Sequence, residues 1–306
     1  MTAPEIVADL HNHSTASDGE YTPAELVSRA DELGIKIIGL TDHDSIAGLD
    51  EFVEAGREKG VQVVVGVEVS LRFTRPYFTG SLHLLLYFSD KVLSNDEFRK
   101  DITNILGRGR GIALVTDRVD AINREFGPRG KTPVLKRELT VDEITALADN
   151  VTRRHFFMAL SQNHGIEDKK QIDLLIGNSS PAYIPSGIDM ELLTPLISKY
   201  NLVKILAHPA AGSFPGDSHY KEVLPPVETV EKILPEFIDP GIIGIDGLEV
   251  YYPGHTEEYE KAMLQWCSKY NLIATGGSDC HDQEIRPLGV KGIEQRDLDI
   301  FLKKVG

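Results

Sequence analysis

The chain has 306 residues, enough for one barrel of ordinary size or two average domains, and its 41% hydrophobic content suits a large buried core. A formal charge of −15 argues against gripping long duplex nucleic acid, which needs a basic surface to release counterions, and leaves small anionic ligands open. No apolar run reaches membrane-spanning length and two cysteines give no disulfide framework, so a cytoplasmic protein without a membrane partner is expected.

The opening MTAPEIVADL lacks the basic patch and apolar stretch of a signal peptide, and residues 5–10 read as a first strand. Residues 22–33 follow as a helix, with Thr22 as N-cap, Pro23 at the first helical position and Glu25 three after the cap. Residues 36–41 are strand-like, 46–59 helical, 61–69 a Val-rich strand and 81–88 another strand. This alternation predicts parallel strands joined by crossover helices. From about 94 to 178 the rhythm stops and the sequence is helical, with short helices expected at 140–149, 151–163 and 168–177. Strands resume at 203–207, 246–250 and 272–276, with helices near 188–200, 256–269 and 295–304. The expected organisation is an α/β barrel built from 1–93 and 188–306. Residues 94–187 would form a helical insertion acting as a lid or specificity element. There is no internal repeat, and nothing in the sequence bears on oligomeric state.

Nine potential metal ligands recur beside the predicted strands: His11, His13, Asp18, His43, Glu68, His83, His208, Asp279 and His281. Rigid strands that point side chains at a shared mouth are how an α/β barrel builds a site. Taken singly, each has a plainer explanation. The HxH pair can be surface polarity, and Asp18 sits in a Ser-Asp-Gly turn that favours Asp for local reasons. His43 lies between Asp42 and Asp44, carboxylates of the kind that hold a ligating histidine from behind, although Asp44 can equally be a turn acid or a cap. Glu68 interrupts a strand expected to be buried on both faces, where a lone carboxylate is costly, so a cation or an edge position is needed. His83 in SLHLLLYF has the same character. Cys280, between Asp279 and His281, is expected to point away from them and pack. The joint occurrence at successive strands favours a multinuclear metal site.

The segments DLHNHSTASDGEYTP, GLTDHDS, GVEVS, LAHPA and GGSDCH agree in order and spacing with one family. By them the chain resembles the PHP (polymerase and histidinol phosphatase) superfamily along nearly its whole length. The resemblance implies a distorted (β/α)7 TIM-like barrel and a trinuclear site. It puts His11, His13, Glu68 and Asp279 on one ion. Glu68 would bridge to a second ion held by His83 and His208, and Asp18, His43 and His281 would hold the third. Three divalent ions against three carboxylates leave the ligand shell near about +3, enough to attract a phosphate. The mixed N/O donors suit Mn, Fe or Zn better than Mg or Ca. A hydroxide bridging two ions would be the nucleophile, so no Ser or Cys nucleophile is required.

The insertion carries VTRRHFFMAL, similar to an Arg-Pro-His-Phe run in the nucleotide-directed branch of the family, with Arg in place of Pro. That similarity implies substrate-phosphate contacts from Arg153, Arg154 and His155, against the alternative of a solvated helix face. Arg110 and Arg108 are further candidates, and EVYYPGHT resembles the same branch, with Tyr252 or His255 near the mouth. The expected activity is metal-dependent hydrolysis of a small phosphomonoester. A nucleotide such as a nucleoside 3′,5′-bisphosphate, or the end of a short oligonucleotide, is the expected substrate. The alternatives are a histidinol phosphatase and a non-catalytic metal-binding module.

Overall fold

The computed structural model describes residues 6–147, 151, 153–215 and 224–306, apart from the side chains of Arg154 and Lys169. Seven strands form one sheet in chain order: β1 (Ala8–Asp9), β2 (Ile37–Leu40), β3 (Gln62–Arg75), β4 (Phe78–Phe88), β5 (Val203–Leu206), β6 (Gly247–Tyr251) and β7 (Ile273–Gly276). The two edges meet just beyond the strand ends. Asn12 and Cys280 form a parallel bridge, and the His13 N–H donates to the Cys280 carbonyl at 2.9 Å. The result is a nearly closed, distorted barrel with helices around it.

One expectation is corrected here. The pairs β1/β2, β2/β3, β5/β6 and β6/β7 are parallel, but β4 runs antiparallel to both β3 and β5. A parallel connection needs a crossover of a dozen or more residues, and the segment 70–80 is too short for one. The chain instead turns at Pro76 and Tyr77, and both strands run on to that turn in an extended hairpin.

Local chemistry explains the helix that follows β1. Thr22 accepts from the Glu25 N–H, Glu25 accepts from the Thr22 N–H, and Pro23 opens the helix Pro23–Leu33. Sequence reasoning missed the helix Val227–Ile238, which follows Pro225 and Pro226 and contains Pro235. Pro226 in fact sits at its N-cap, and Val230, Ile233, Leu234 and Phe237 are buried at helical spacing.

Among the described residues the buried apolar side chains fall into several clusters. Ala8, Ile37, Val64, Leu85, Tyr87, Val203 and Ile205 cluster with Leu298 and Phe301 of the C-terminal helix Gln295–Val305. Tyr87 meets Phe301 edge-on at 5.0 Å, so this helix covers the barrel end away from Glu68. A separate cluster joins Val115, Val119, Ile122 and Phe126 of the helix Gly111–Phe126 to Ile144, Phe156, Leu160 and Leu175. Phe98, Ile102 and Leu106 of the helix Asp96–Leu106 belong to the barrel's own core, so the second core begins after it. No described helix is long and apolar enough to cross a membrane.

Candidate metal centre

The site is built where the chain leaves its strands. Glu68 is fully buried within β3, and a bridge to His43 ties the end of β2 to it. His83 faces the same region from the reversed strand, paired with Ser70, so it precedes its apolar run instead of following one. His11 and His13 follow β1, His208 follows β5, and Asp279 and His281 follow β7. Close approach of β7 to β1 requires Gly277, because a Cβ there would lie 2.4 Å from the His11 nitrogen. Asp44, His208 and Asp279 all hold positive φ (47°, 28° and 51°), a conformation that L residues adopt only when their surroundings impose it.

The donors fall into interlocking groups. The first joins His11, His13, Glu68 and Asp279. Glu68 Oε2 lies 3.3 Å from His11 Nε2 and 3.2 Å from His13 Nε2, and Asp279 Oδ1 lies 3.0 Å from His13 Nε2. The other Glu68 oxygen turns elsewhere, with Oε1 2.8 Å from His83 Nδ1 and 3.0 Å from His208 Nε2. Around Asp18, whose side chain is 57% exposed, stand His281 at 3.3 Å, His13 at 3.8 Å and His43 at 4.0 Å. His13 thus faces two groups through its two nitrogens. A neutral imidazole has one lone pair to offer, so it can ligate in only one of them at a time. His43 is shared likewise, with Nδ1 3.0 Å from Glu68 Oε2.

Electrostatics reflect this crowding. Burial opposes charge at His11, His13, Asp18, Glu68 and Asp279, and at each of them the attraction of its neighbours outweighs it. Against burial, His43, His83 and His11 hold Glu68 well below the usual carboxylate range, and His11 and His13 do the same for Asp279. Burial would lower His13, but the Asp279 and Glu68 carboxylates beside its Nε2 raise it to about 9. Burial prevails at His43, which is lowered. His13 Nδ1, His43 Nδ1, His83 Nδ1 and Glu68 Oε2 are buried without a hydrogen-bond partner among the described residues. Buried polar atoms seldom stay unpaired, and imidazole and carboxylate donors converging at these distances fit divalent transition ions.

The surroundings revise several details. Among the described residues no hydrogen bond or ion pair joins His43 to the acid on either side of it. Asp42 accepts from the Ser14 N–H and from the Ser14 and Ser17 hydroxyls at 2.7, 2.7 and 2.6 Å, clamping the loop that carries Asp18. Asp44 accepts from the Ser70 N–H at 2.8 Å and from Arg110 Nε, which brings Arg110 to the rim of the centre. Arg108 is exposed. The Tyr252 hydroxyl donates to Asp279 Oδ2 at 3.1 Å, behind the oxygen that faces His13. His255 is a structural residue. Its Nδ1–H donates to the Val250 carbonyl at 2.8 Å, its Nε2 accepts from the Ala210 N–H at 3.2 Å, and burial lowers it to about 4. Cys280 is fully buried within the barrel core.

In the insertion, Arg153 donates to Asn178 Oδ1 and lies 5.9 Å over the Tyr183 ring, and His155 is half-buried. The Arg154 side chain lies outside the described residues. Sequence reasoning missed two buried acids. Asp9 joins the ends of β1 and β7 by accepting from the Ser278 N–H and hydroxyl, and burial raises it to about 6. Glu249 in GLEVY meets the His11 ring, and the signal that marked Glu68 in GVEVS, an acid inside an apolar strand, marks it too.

With this geometry in view, the relatives are informative. A 5′-3′ exoribonuclease of Haemophilus influenzae is 29% identical over 276 residues, covering 89% of each chain. A phosphoribosyl 1,2-cyclic phosphate 1,2-diphosphodiesterase of Eggerthella lenta is 26% identical, covering 90% of this chain and 94% of its own length. Among solved structures, a chain assigned as a metal-dependent phosphoesterase of Bifidobacterium adolescentis superposes with a TM-score of 0.62. It is 25% identical, and the match covers 97% of this chain and 96% of that one. The PHP domain model matches residues 9–207, the span holding six of the nine candidate ligands, and the chain belongs to the PHP family.

Proposed function

We propose that this metal-dependent phosphoesterase hydrolyses a small phosphomonoester on a nucleotide, such as a nucleoside 3′,5′-bisphosphate or the end of a short oligonucleotide. The observation that carries the proposal is Glu68, a fully buried carboxylate whose two oxygens face two different sets of imidazoles. His11, His13, Asp18, His43, Glu68, His83, His208, Asp279 and His281 would hold three divalent ions, Mn, Fe or Zn. When bound, such ions supply Lewis acidity toward phosphate and a nucleophile from water near neutral pH.

The chain's own groups then orient the substrate. Arg110 is anchored through Nε on Asp44 and its side chain is 40% exposed, which leaves its Nη groups for a phosphate at the rim. Arg153, Arg154 and His155 are the corresponding candidates from the insertion, residues 94–187, which would serve as a specificity element. Both relatives are named for cleaving phosphodiester links on ribose, which supports a ribose-bearing phosphate as substrate, the end of a short oligonucleotide among them. Two free, buried cysteines support a reducing, cytoplasmic setting.

A panel of phosphate esters tests the substrate class. Nucleoside bisphosphates and short oligonucleotides should be cleaved fastest. Equal rates across the panel, or preference for histidinol phosphate, would overturn it. Metal analysis with chelation and add-back separates an enzyme from a non-catalytic module.

A further inference from the structure

Glu249 is fully buried in β6, and its carboxylate spends both oxygens on two proposed metal ligands from distant parts of the chain. His11 Nδ1 lies 3.0 Å from Oε1 and 3.1 Å from Oε2. The same Oε2 accepts from the backbone N–H of His208 at 2.9 Å. His11 Nε2, on the opposite side of the ring, faces Glu68 and Asp279 at 3.3 and 3.5 Å. Glu249 therefore stands behind the ring, on the side away from the cluster.

From this geometry we propose that Glu249 is a positioning residue for the metal centre. It keeps the His11 proton on Nδ1, so that Nε2 presents its lone pair to the cluster, and it locks His208 into register with His11. The proposal rests on His11 being a metal ligand. The chemistry of the carboxylate supports it. An ionised carboxylate only accepts, so a neutral His11 beside it must carry its proton on Nδ1. Carboxylates placed behind ligating imidazoles fix the tautomer and raise the basicity of the metal-facing nitrogen. The second tie matters as well. His208 holds a φ of 28°, and the Oε2 bond fixes its amide in that conformation.

Glu249→Gln is the informative change. The amide has the same shape but only one oxygen for two donors. If that oxygen stays with the His208 N–H, the NH2 group faces His11 Nδ1 and stabilises the opposite tautomer, with the proton on Nε2. Metal affinity should then fall roughly 10–100-fold. The experiment is Mn²⁺ and Zn²⁺ titration of the metal-stripped full-length protein against a chromophoric chelator, with bound metal per chain measured in parallel. The variants are wild type, E249Q, H11Q and the H11Q/E249Q pair. Action through His11 predicts a loss in E249Q and in H11Q, and no further loss in the double variant. Wild-type affinity in folded E249Q, with H11Q impaired, would overturn the positioning role while leaving the metal reading intact. Wild-type affinity in H11Q would instead remove His11 from the ligand set, and the proposal with it. Should E249Q fail to fold, E249D keeps the charge but withdraws it from Nδ1. The same loss is expected there, and unchanged affinity overturns the proposal.

Discussion

Glu68 places a negative charge at a strand position from which two separate sets of imidazoles are within reach. Glu68→Gln keeps its volume but removes the charge that joins them. Turnover should drop by at least roughly 100-fold, the upper end of what loss of an outer partner costs, while the circular dichroism spectrum stays native. Near-normal turnover would show that no bridge runs through this side chain. His255 makes a different kind of statement. Held neutral chiefly by burial, it has a folded value of about 4 against an ordinary 6.5. Between those values the unfolded chain binds the extra proton, so His255 favours unfolding as pH falls from 6.5 toward 4 and is neutral in effect above 6.5. The full effect is on the order of 3 kcal/mol. Asp9, raised to about 6, pulls the opposite way across much of that window, so the comparison must be with a variant. In His255→Asn, urea titrations should show stability rising less, or falling more, with pH between 4 and 6.5 than in wild type, on top of a uniform loss of about 1–3 kcal/mol for the orphaned Ala210 N–H. An unchanged slope would mean that His255 is protonated in the fold.

At the scale of elements, the long hairpin of β3 and β4 is what sets the barrel apart from a simple parallel one. Reversal of β4 brings His83 to the centre from the opposite chain direction, and the register of His83 opposite Ser70 puts its ring beside Glu68. Residues between Val115 and Ala182 form an apolar cluster of their own, so changes on the surface there should leave the metal centre intact. Arg153→Ala and Arg154→Ala should therefore raise KM for a nucleotide substrate several-fold with kcat and metal content little changed. An unchanged KM for both would return them to a solvated helix face. Arg110 differs because Asp44 ties it to the rim. Arg110→Ala should raise KM and also free Asp44, with bound metal per chain as the control that separates the two effects.

For the molecule as a whole, the centre works as a tie. Glu68 lies in β3, and His11, His208 and Asp279 follow β1, β5 and β7, so bound ions would clasp strands from around the barrel. Ions that bind the native state alone stabilise it by mass action. Exhaustive chelation should abolish hydrolysis and lower Tm, and add-back of Mn²⁺, Fe²⁺ or Zn²⁺ should restore both. Full activity in metal-free protein would contradict the whole scheme.

Alternating apolar runs, the Thr22–Glu25 capping box and the acid buried in GVEVS are local signals, and they were enough to read the barrel, its first helix and Glu68 as a residue in need of a partner. Residue type likewise restricted the candidate ligands to imidazoles and carboxylates. Only the tertiary structure decided which donors share a group, that β4 turns back on β3, that Asp42 clamps a loop instead of His43, and that Glu249 stands behind His11. The reason is physical. Spacing along a strand determines which face a side chain occupies. Register and partnership across 238 residues, as between His11 and Glu249, arise only when strands pack and every buried charge must find its counterpart.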